Sequence, residues 1–508
     1  MTVRWLAILA AIVLGFAGGA GLAQPAAAPG AAAQAAPFDS AARSVERRFA
    51  ADGQDFPYTA SAGWLAVPST GGQTVGEIFH VAYRRGDVGG AGRPIIFAFN
   101  GGPGAASVYL HLGAMGPRRA MVGPDGVVPG SNPPLVDNAE SWLGFADLVF
   151  VDPIGTGLSR AVAADGSVAN GREFWDTEAD ARAAARFVRD YLDRIGRRAS
   201  PVYLVGESYG GFRVARLARM LPESYGVRLA GIVMVSPVID RGAMAIDPFM
   251  PMATMLRVPT YAAVAWRHGR AAGIGRDESA RDAFVAEAEA FALGDGLIAA
   301  VAGDTLPRDR RKAFYAQLAR FTGLSTEETT RRDGVIGPDV FANALLADSG
   351  RALGFYDASV TGPRGDRMAG LRGLGSALAT AIESYLGEDI GLVAPSKYIP
   401  LNQDAARDWQ WFRRGDFGYP NAAPRLREAL VADPALRVLI VHGRYDLVTP
   451  FAATAWTIAQ LHLPPARRSA VRLVVLEGGH MMYLHDESRR QLSALAREFV
   501  AAPIPPAP

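Results

Sequence analysis

Val202-Tyr203-Leu204-Val205-Gly206-Glu207-Ser208-Tyr209-Gly210-Gly211 decides how the rest of the chain is read. The apolar start predicts a strand, the glycines a tight turn, and the residues beyond them a helix. The pattern G-x-S-x-G between a strand and a helix lifts a serine hydroxyl off the end of a sheet, and its glycines leave room for the turn. The five-residue pattern by itself also occurs in structural turns. The strand before it and the helix after it are the context that gives it chemical meaning. Ser208 is therefore the candidate nucleophile.

Outward from this turn, short β-branched or apolar runs bounded by Gly, Pro or Asp recur at 62–67, 75–83, 95–99, 148–151, 229–235, 438–441 and 473–476. Such runs predict strands. The later ones are continuously apolar, as strands buried on both faces of a parallel sheet are. Helical patterns lie between them. Residues 177–195 carry Phe187, Val188, Tyr191, Leu192 and Ile195 at three- and four-residue spacing. Residues 451–461 follow Thr449-Pro450, a cap residue and then a proline at the first helical position. Residues 481–500 carry Leu484, Leu492, Leu495 and Phe499 on one side. Strand–helix alternation predicts an α/β fold, a mostly parallel sheet with helices on both faces. From about Asp240 to Pro395 strand-like runs are missing and helix formers dominate, as in ESARDAFVAEAEAFA and RDRRKAFYAQLARF. The expected division is a catalytic domain over 38–239 and 396–508, interrupted by a helical cap insertion over 240–395.

A serine hydroxyl needs a base, because its own pKa leaves it unreactive. His480 stands in Leu476-Glu477-Gly478-Gly479-His480, where a strand ends in two glycines. That puts an imidazole on a loop at a strand's carboxyl end, where sites on such sheets lie. His485, read as part of the last helix, is the rival base. His442 reads as a packed strand-end residue, and His80, His111, His268 and His462 as structural or surface residues. The imidazole needs a carboxylate to fix its tautomer and stabilise its cation. Asp446 follows the strand at 438–441, and Ser208, Asp446, His480 is the chain order Ser…Asp…His of α/β hydrolases. An oxyanion hole needs preorganised N–H donors. One should be the backbone of Tyr209; the other should come from Asn100-Gly101-Gly102-Pro103-Gly104, a glycine loop after an early strand. That loop lacks the Lys-Ser/Thr of a phosphate-binding P-loop.

Composition removes several other classes. The net charge is +2, with both signs mixed along the chain, so no basic stripe invites nucleic acid. There is no cysteine, which excludes thiol nucleophiles, Cys–zinc sites and a disulfide framework. Arg4, an apolar run at 5–16 and the pair Gly21 and Ala23 describe a signal peptide over 1–23. QPAAAPGAAAQAAP follows, an Ala/Pro-rich tether over 24–37 expected to be disordered. A periplasmic or secreted protein is expected, with no stable membrane insertion after signal cleavage.

These blocks together resemble the serine carboxypeptidase family, peptidase family S10. The matching stretches are NGGPG at 100–104, VDPIGTGLSR at 151–160, GESYGG at 206–211, HGRYDLVTP at 442–450 and GGHMMY at 478–483, in the family's order. The resemblance implies an α/β-hydrolase fold and a triad of Ser208, Asp446 and His480. It implies oxyanion donors at Gly102 and Tyr209, and a grip on the substrate's free C-terminal carboxylate at Asn100 and Glu207. It further implies peptide substrates, an acyl-enzyme, and neither a metal nor an organic cofactor. Eukaryotic members pair the equivalent of Glu207 with a second glutamate, where this chain has Ala114. They also carry a tryptophan where this chain has Ala98 and a cysteine where it has Ala105, so the chain looks like a bacterial-type member. Plant relatives include acyltransferases, so an esterase or acyltransferase with the same triad is the alternative reading.

Overall fold

In the computed structural model the strand that ends at Glu207 lies deep inside one large sheet. The structure describes residues 42–90, 92–123, 128, 130–412 and 418–503. The expected signal peptide and Ala/Pro-rich tether fall outside the described residues. The main strands are β1 (Arg43–Ala51), β2 (Gln54–Pro68), β3 (Thr74–Arg85), β4 (Ile95–Phe99), β5 (Asp147–Val151), β6 (Val202–Glu207), β7 (Leu229–Val235), β8 (Val438–Gly443) and β9 (Val471–Leu476). Their spatial order is β1-β2-β3-β5-β4-β6-β7-β8-β9. The pairs β1–β2, β2–β3 and β3–β5 are antiparallel. From β5 to β9 every neighbouring pair is parallel. This is the α/β-hydrolase arrangement, and every strand expected from sequence lies within one of these.

The fully buried sequences of β4 to β8 explain the layers. Side chains alternate between the faces of a sheet, so a strand without polar positions needs cover on both sides. Helices α1 (Thr177–Arg194) and α2 (Tyr209–Ser224) cover one face. Phe97, Leu204, Ile232 and Ile440 pack there against Phe187, Val188, Phe212 and Leu217. Between β7 and β8 the chain forms α3 (Val258–Arg267), α4 (Glu278–Leu293), α5 (Arg308–Thr322), α6 (Leu374–Ser384) and shorter helices. Helix α7 (Ala423–Ala432) then rejoins the first face beside α2. Helices α8 (Phe451–Ala459) and α9 (Asp486–Ala501) complete the chain. The opposite face meets α9, where the Tyr203 and Phe499 ring centroids are 6.1 Å apart.

The stretch between β7 and β8 is mostly helical, but it also contains a short antiparallel pair, Arg351–Leu353 with Thr361–Pro363. Three-residue strands are too brief to show as a run in the sequence. Isolated bridges Gly157↔Ile399 and Ala105↔Leu401 bring the chain back to the loops at the sheet's edge. The last helix begins at Asp486 rather than near Met481. Residues Met482–Leu484 form a 3-10 turn instead, and His485 precedes the helix. Thr449 does not cap α8: Pro450 occupies the cap position, and the threonine hydroxyl turns to Asp446 and Ser236.

Candidate active site

The carboxyl ends of the parallel strands all face one edge of the sheet. There β4 delivers Asn100, β6 delivers Ser208, β8 leads to Asp446 and β9 to His480. Ser208 has φ 57° and ψ −122°, a conformation that an L-residue adopts only under constraint. The flanking glycines make it attainable. A Cβ on Gly206 would lie 2.2 Å from Gly210 O, and one on Gly210 would lie 2.5 Å from Phe99 O. The Asn100–Gly104 loop presses on this turn, since a Cβ on Gly101 would come within 2.4 Å of Tyr209 N. The backbone at Gly101–Gly102 thus lies beside the Tyr209 N–H. The first N–H groups of a helix have no carbonyl within the helix to meet.

His480 Nδ1 lies 2.7 Å from Asp446 Oδ2. Asp446 is completely buried and its charge is satisfied locally. Its Oδ1 accepts the N–H groups of Val448 at 2.8 Å and Thr449 at 3.0 Å, and its Oδ2 accepts the Thr449 hydroxyl. Burial disfavours the charged imidazolium, but the charge and hydrogen bond of Asp446, with Glu207 beyond, outweigh it and raise the His480 pKa. The His480 N–H donates to Tyr356 O, and the Tyr356 ring meets the imidazole edge-on at 5.6 Å. Ser208 and His480 line the same cleft. No direct hydrogen bond joins their side chains, a common arrangement when no substrate is bound. His485 turns elsewhere, pairing with Asp357 Oδ2 at 2.7 Å, and is not part of the cleft lining. His442 is buried against Thr454, His80 packs between Phe187 and Tyr191, and His111 bonds to Tyr83.

Asn100 and Glu207 also meet. Asn100 Nδ2 donates to Glu207 Oε2 at 2.9 Å, and the Tyr483 hydroxyl donates to the same oxygen at 2.7 Å. Burial pushes the Glu207 carboxyl up to about 7. His480, Tyr483 and Asn100 pull against that shift, and the Asp446 charge adds to it. Tyr483 was not singled out by sequence. It stands three residues after His480, and only the 3-10 turn brings its hydroxyl back to Glu207. Its ring lies beside Gly113, whose added Cβ would be 3.0 Å away.

Two further buried groups support these loops and were likewise missed. Arg213 on α2 grips Asp180 of α1 with Nε at 2.8 Å and Nη2 at 3.1 Å, while its Nη1 donates to Asn100 O at 2.7 Å. The Tyr209 hydroxyl completes the cluster, donating to Asp180 Oδ2 at 3.1 Å. Asp152, in the Val151–Arg160 block, accepts the Ser107 N–H and hydroxyl at 2.8 and 2.7 Å and the Tyr398 hydroxyl at 3.0 Å. It ties the segment after the glycine loop to the returning chain. The helical spacing of Tyr209 and Arg213 was the one available signal for the first cluster. Among the described residues no cluster of His, Asp and Glu has the makings of a metal site.

Residues 53–251 match the family model described as serine carboxypeptidase. That stretch holds Asn100, Gly102, Glu207, Ser208 and Tyr209 and ends before Asp446 and His480. Among curated proteins the chain is 28% identical over 192 residues to serine carboxypeptidase-like 36 of Arabidopsis thaliana, covering 37% of this chain and 36% of that protein. It is 30% identical over 162 residues to pheromone-processing carboxypeptidase kex1 of Schizosaccharomyces japonicus, covering 31% of this chain and 28% of that one. The matches thus span about a third of the length of these relatives. Among solved structures, esterase E22 aligns over 87% of this chain and 100% of its own, with a TM-score of 0.37 and 12% identity.

Proposed function

We propose, from the premise that the chain belongs with the serine carboxypeptidase family, that it removes C-terminal residues from peptides through an acyl-enzyme on Ser208. The observation that carries this reading is the shared cleft. Ser208 and His480 line it together with Asn100 and Glu207, a buried pair able to meet a terminal carboxylate. In the reaction, His480 Nε2 takes the Ser208 proton as Oγ attacks the last peptide carbonyl. Asp446 holds the imidazole by Nδ1 and stabilises its cation. The N–H groups of Gly102 and Tyr209 receive the oxyanion. His480 then protonates the leaving amino acid, and water, deprotonated by His480, frees the acyl group. Glu207 in its neutral form donates a hydrogen bond to the substrate carboxylate, beside the Asn100 amide. Tyr483 and Arg213 act through Glu207 and Asn100 and are positioning residues. Export follows from the reading of residues 1–23 as a signal peptide.

The test is labelling by a fluorophosphonate followed by peptide mapping. The adduct is expected on Ser208, lost in His480→Ala and kept in His485→Ala. An adduct elsewhere, or loss with His485→Ala in place of His480→Ala, would overturn the assignment.

A further inference from the structure

The family match ends at residue 251, so the wall that the stretch between β7 and β8 gives the cleft is read from its own residues. The cleft over Ser208 encloses about 170 Å³. A dry cavity of about 150 Å³ is enough for a benzene ring. Much of its wall comes from the stretch between β7 and β8: Met368, Leu371 and Leu374 line it together with Tyr109, Leu401 and Met481. Apart from His480, the one charged or acidic side chain in the lining is Glu207. Two arginines next to that wall in sequence are engaged with other groups. Arg367 pairs with Asp339 at 3.1 Å and lies over the Phe355 ring, and Arg372 donates to Asp366 at 2.7 Å.

We infer that this cleft accepts one uncharged, apolar side chain of up to phenyl size on the C-terminal residue, and that Met368, Leu371 and Leu374 read it. The inference rests on the carboxypeptidase reading above and names its substrate class. The apolar wall adjoins the carboxylate pair, because Leu110, next to Tyr109, donates its N–H to Asn100 Oδ1 at 3.0 Å. A side chain on the residue whose carboxylate sits at Asn100 and Glu207 therefore meets Tyr109 and the start of α6. Tyr109 and α6 are packed against one another there: a Cβ on Gly375 would come 2.8 Å from the Tyr109 hydroxyl. Apolar side chains gain by leaving water there. A lysine or glutamate side chain would lose hydration there without gaining a free opposite charge, since Glu207 already accepts from Asn100 and Tyr483.

The experiment measures kcat/KM for four N-blocked peptides that share every residue but the last, which is Leu, Phe, Lys or Glu. On the wild type, Leu and Phe should exceed Lys and Glu by about a hundredfold. Leu371→Glu should raise the Lys peptide at least tenfold relative to the Leu peptide. If that variant does not fold, Met368→Glu, at the exposed mouth of the cleft, makes the same test. Equal rates for the Leu and Lys peptides would overturn the inference while leaving the carboxypeptidase reading standing. So would a Leu371→Glu variant that leaves the ratio of the Lys to the Leu peptide unchanged. Failure of the wild type to cleave any of the four, while it hydrolyses a simple ester, would overturn the reading itself.

Discussion

Glu207 is the residue on which the proposed reaction turns most sharply. Its carboxyl is buried and titrates at about 7. On the proposed function, below that pH it would carry a proton to donate to a substrate carboxylate, and above it its charge would repel the same anion. His480 works in the opposite sense, since it must be neutral to take the serine proton, and its pKa is raised. Free-acid peptides should therefore show a bell in kcat/KM, with the acid limb from His480 and the alkaline limb from Glu207. Glu207→Gln keeps a donor without a charge and should remove the alkaline limb. Tyr483→Phe deletes a hydrogen bond that favours the ionised carboxylate, so it should move the alkaline limb upward by about one pH unit. A limb that stays in place in Tyr483→Phe would separate Tyr483 from Glu207 function. Ser208, Asp446 and His480 were legible in the sequence because each follows a strand that is itself legible. Tyr483 and Tyr109 were not. Their meaning depends on which loops the topology brings to one edge, and nothing local distinguishes them from other buried tyrosines.

Among elements, the tie between α1 and α2 bears most on the site. Arg213 and Asp180 are both buried, and their bonds also hold Asn100 O and the Tyr209 hydroxyl. Removing one partner strands the other as an unpaired charge, at about 3–5 kcal/mol. Arg213→Met should therefore lower the urea midpoint clearly, and Arg213→Met with Asp180→Leu should recover much of the loss. Urea curves for both variants check this; a wild-type midpoint in the single variant would contradict it. The continuous apolar strands β4 to β8 could be read directly, because burial on both faces leaves no polar position to blur them. The edge strand β1 could not. Its sequence RSVERRFAA is half charged and largely exposed, the pattern by which edge strands discourage pairing with another chain. The last helix was expected about five residues too early, because the apolar Met481–Leu484 stretch reads as helix while the loop carrying His480 bends it into a 3-10 turn. Asp486 and Glu487 in the first turn of α9 mark the true start, where acidic residues favour the helix dipole.

For the whole molecule, the sheet presents the site and the stretch between β7 and β8 walls it in. The mostly helical stretch between β7 and β8 was legible in the loss of strand rhythm after Asp240, but its contacts with the cleft were not, since they come from Tyr356, Met368 and Leu371 on irregular segments and from Leu374 at the start of α6. Export is expected to leave Gln24 as the mature N-terminus, which N-terminal sequencing of secreted protein would read; an intact Met1 on a membrane fraction would contradict it. On the proposed function, one cleft joins a serine nucleophile to a grip on a free C-terminus. The most direct measurement is kcat/KM at mildly acidic pH for an N-blocked dipeptide as its free acid and as its C-terminal amide, on the wild type and on Ser208→Ala. The wild type should release the terminal residue from the acid at least about tenfold faster than from the amide, the margin of one good hydrogen bond to a charged group. Ser208→Ala should lose several orders of magnitude on both if this reading holds. Equal rates on acid and amide, or activity in Ser208→Ala above about a tenth of wild type, would contradict it.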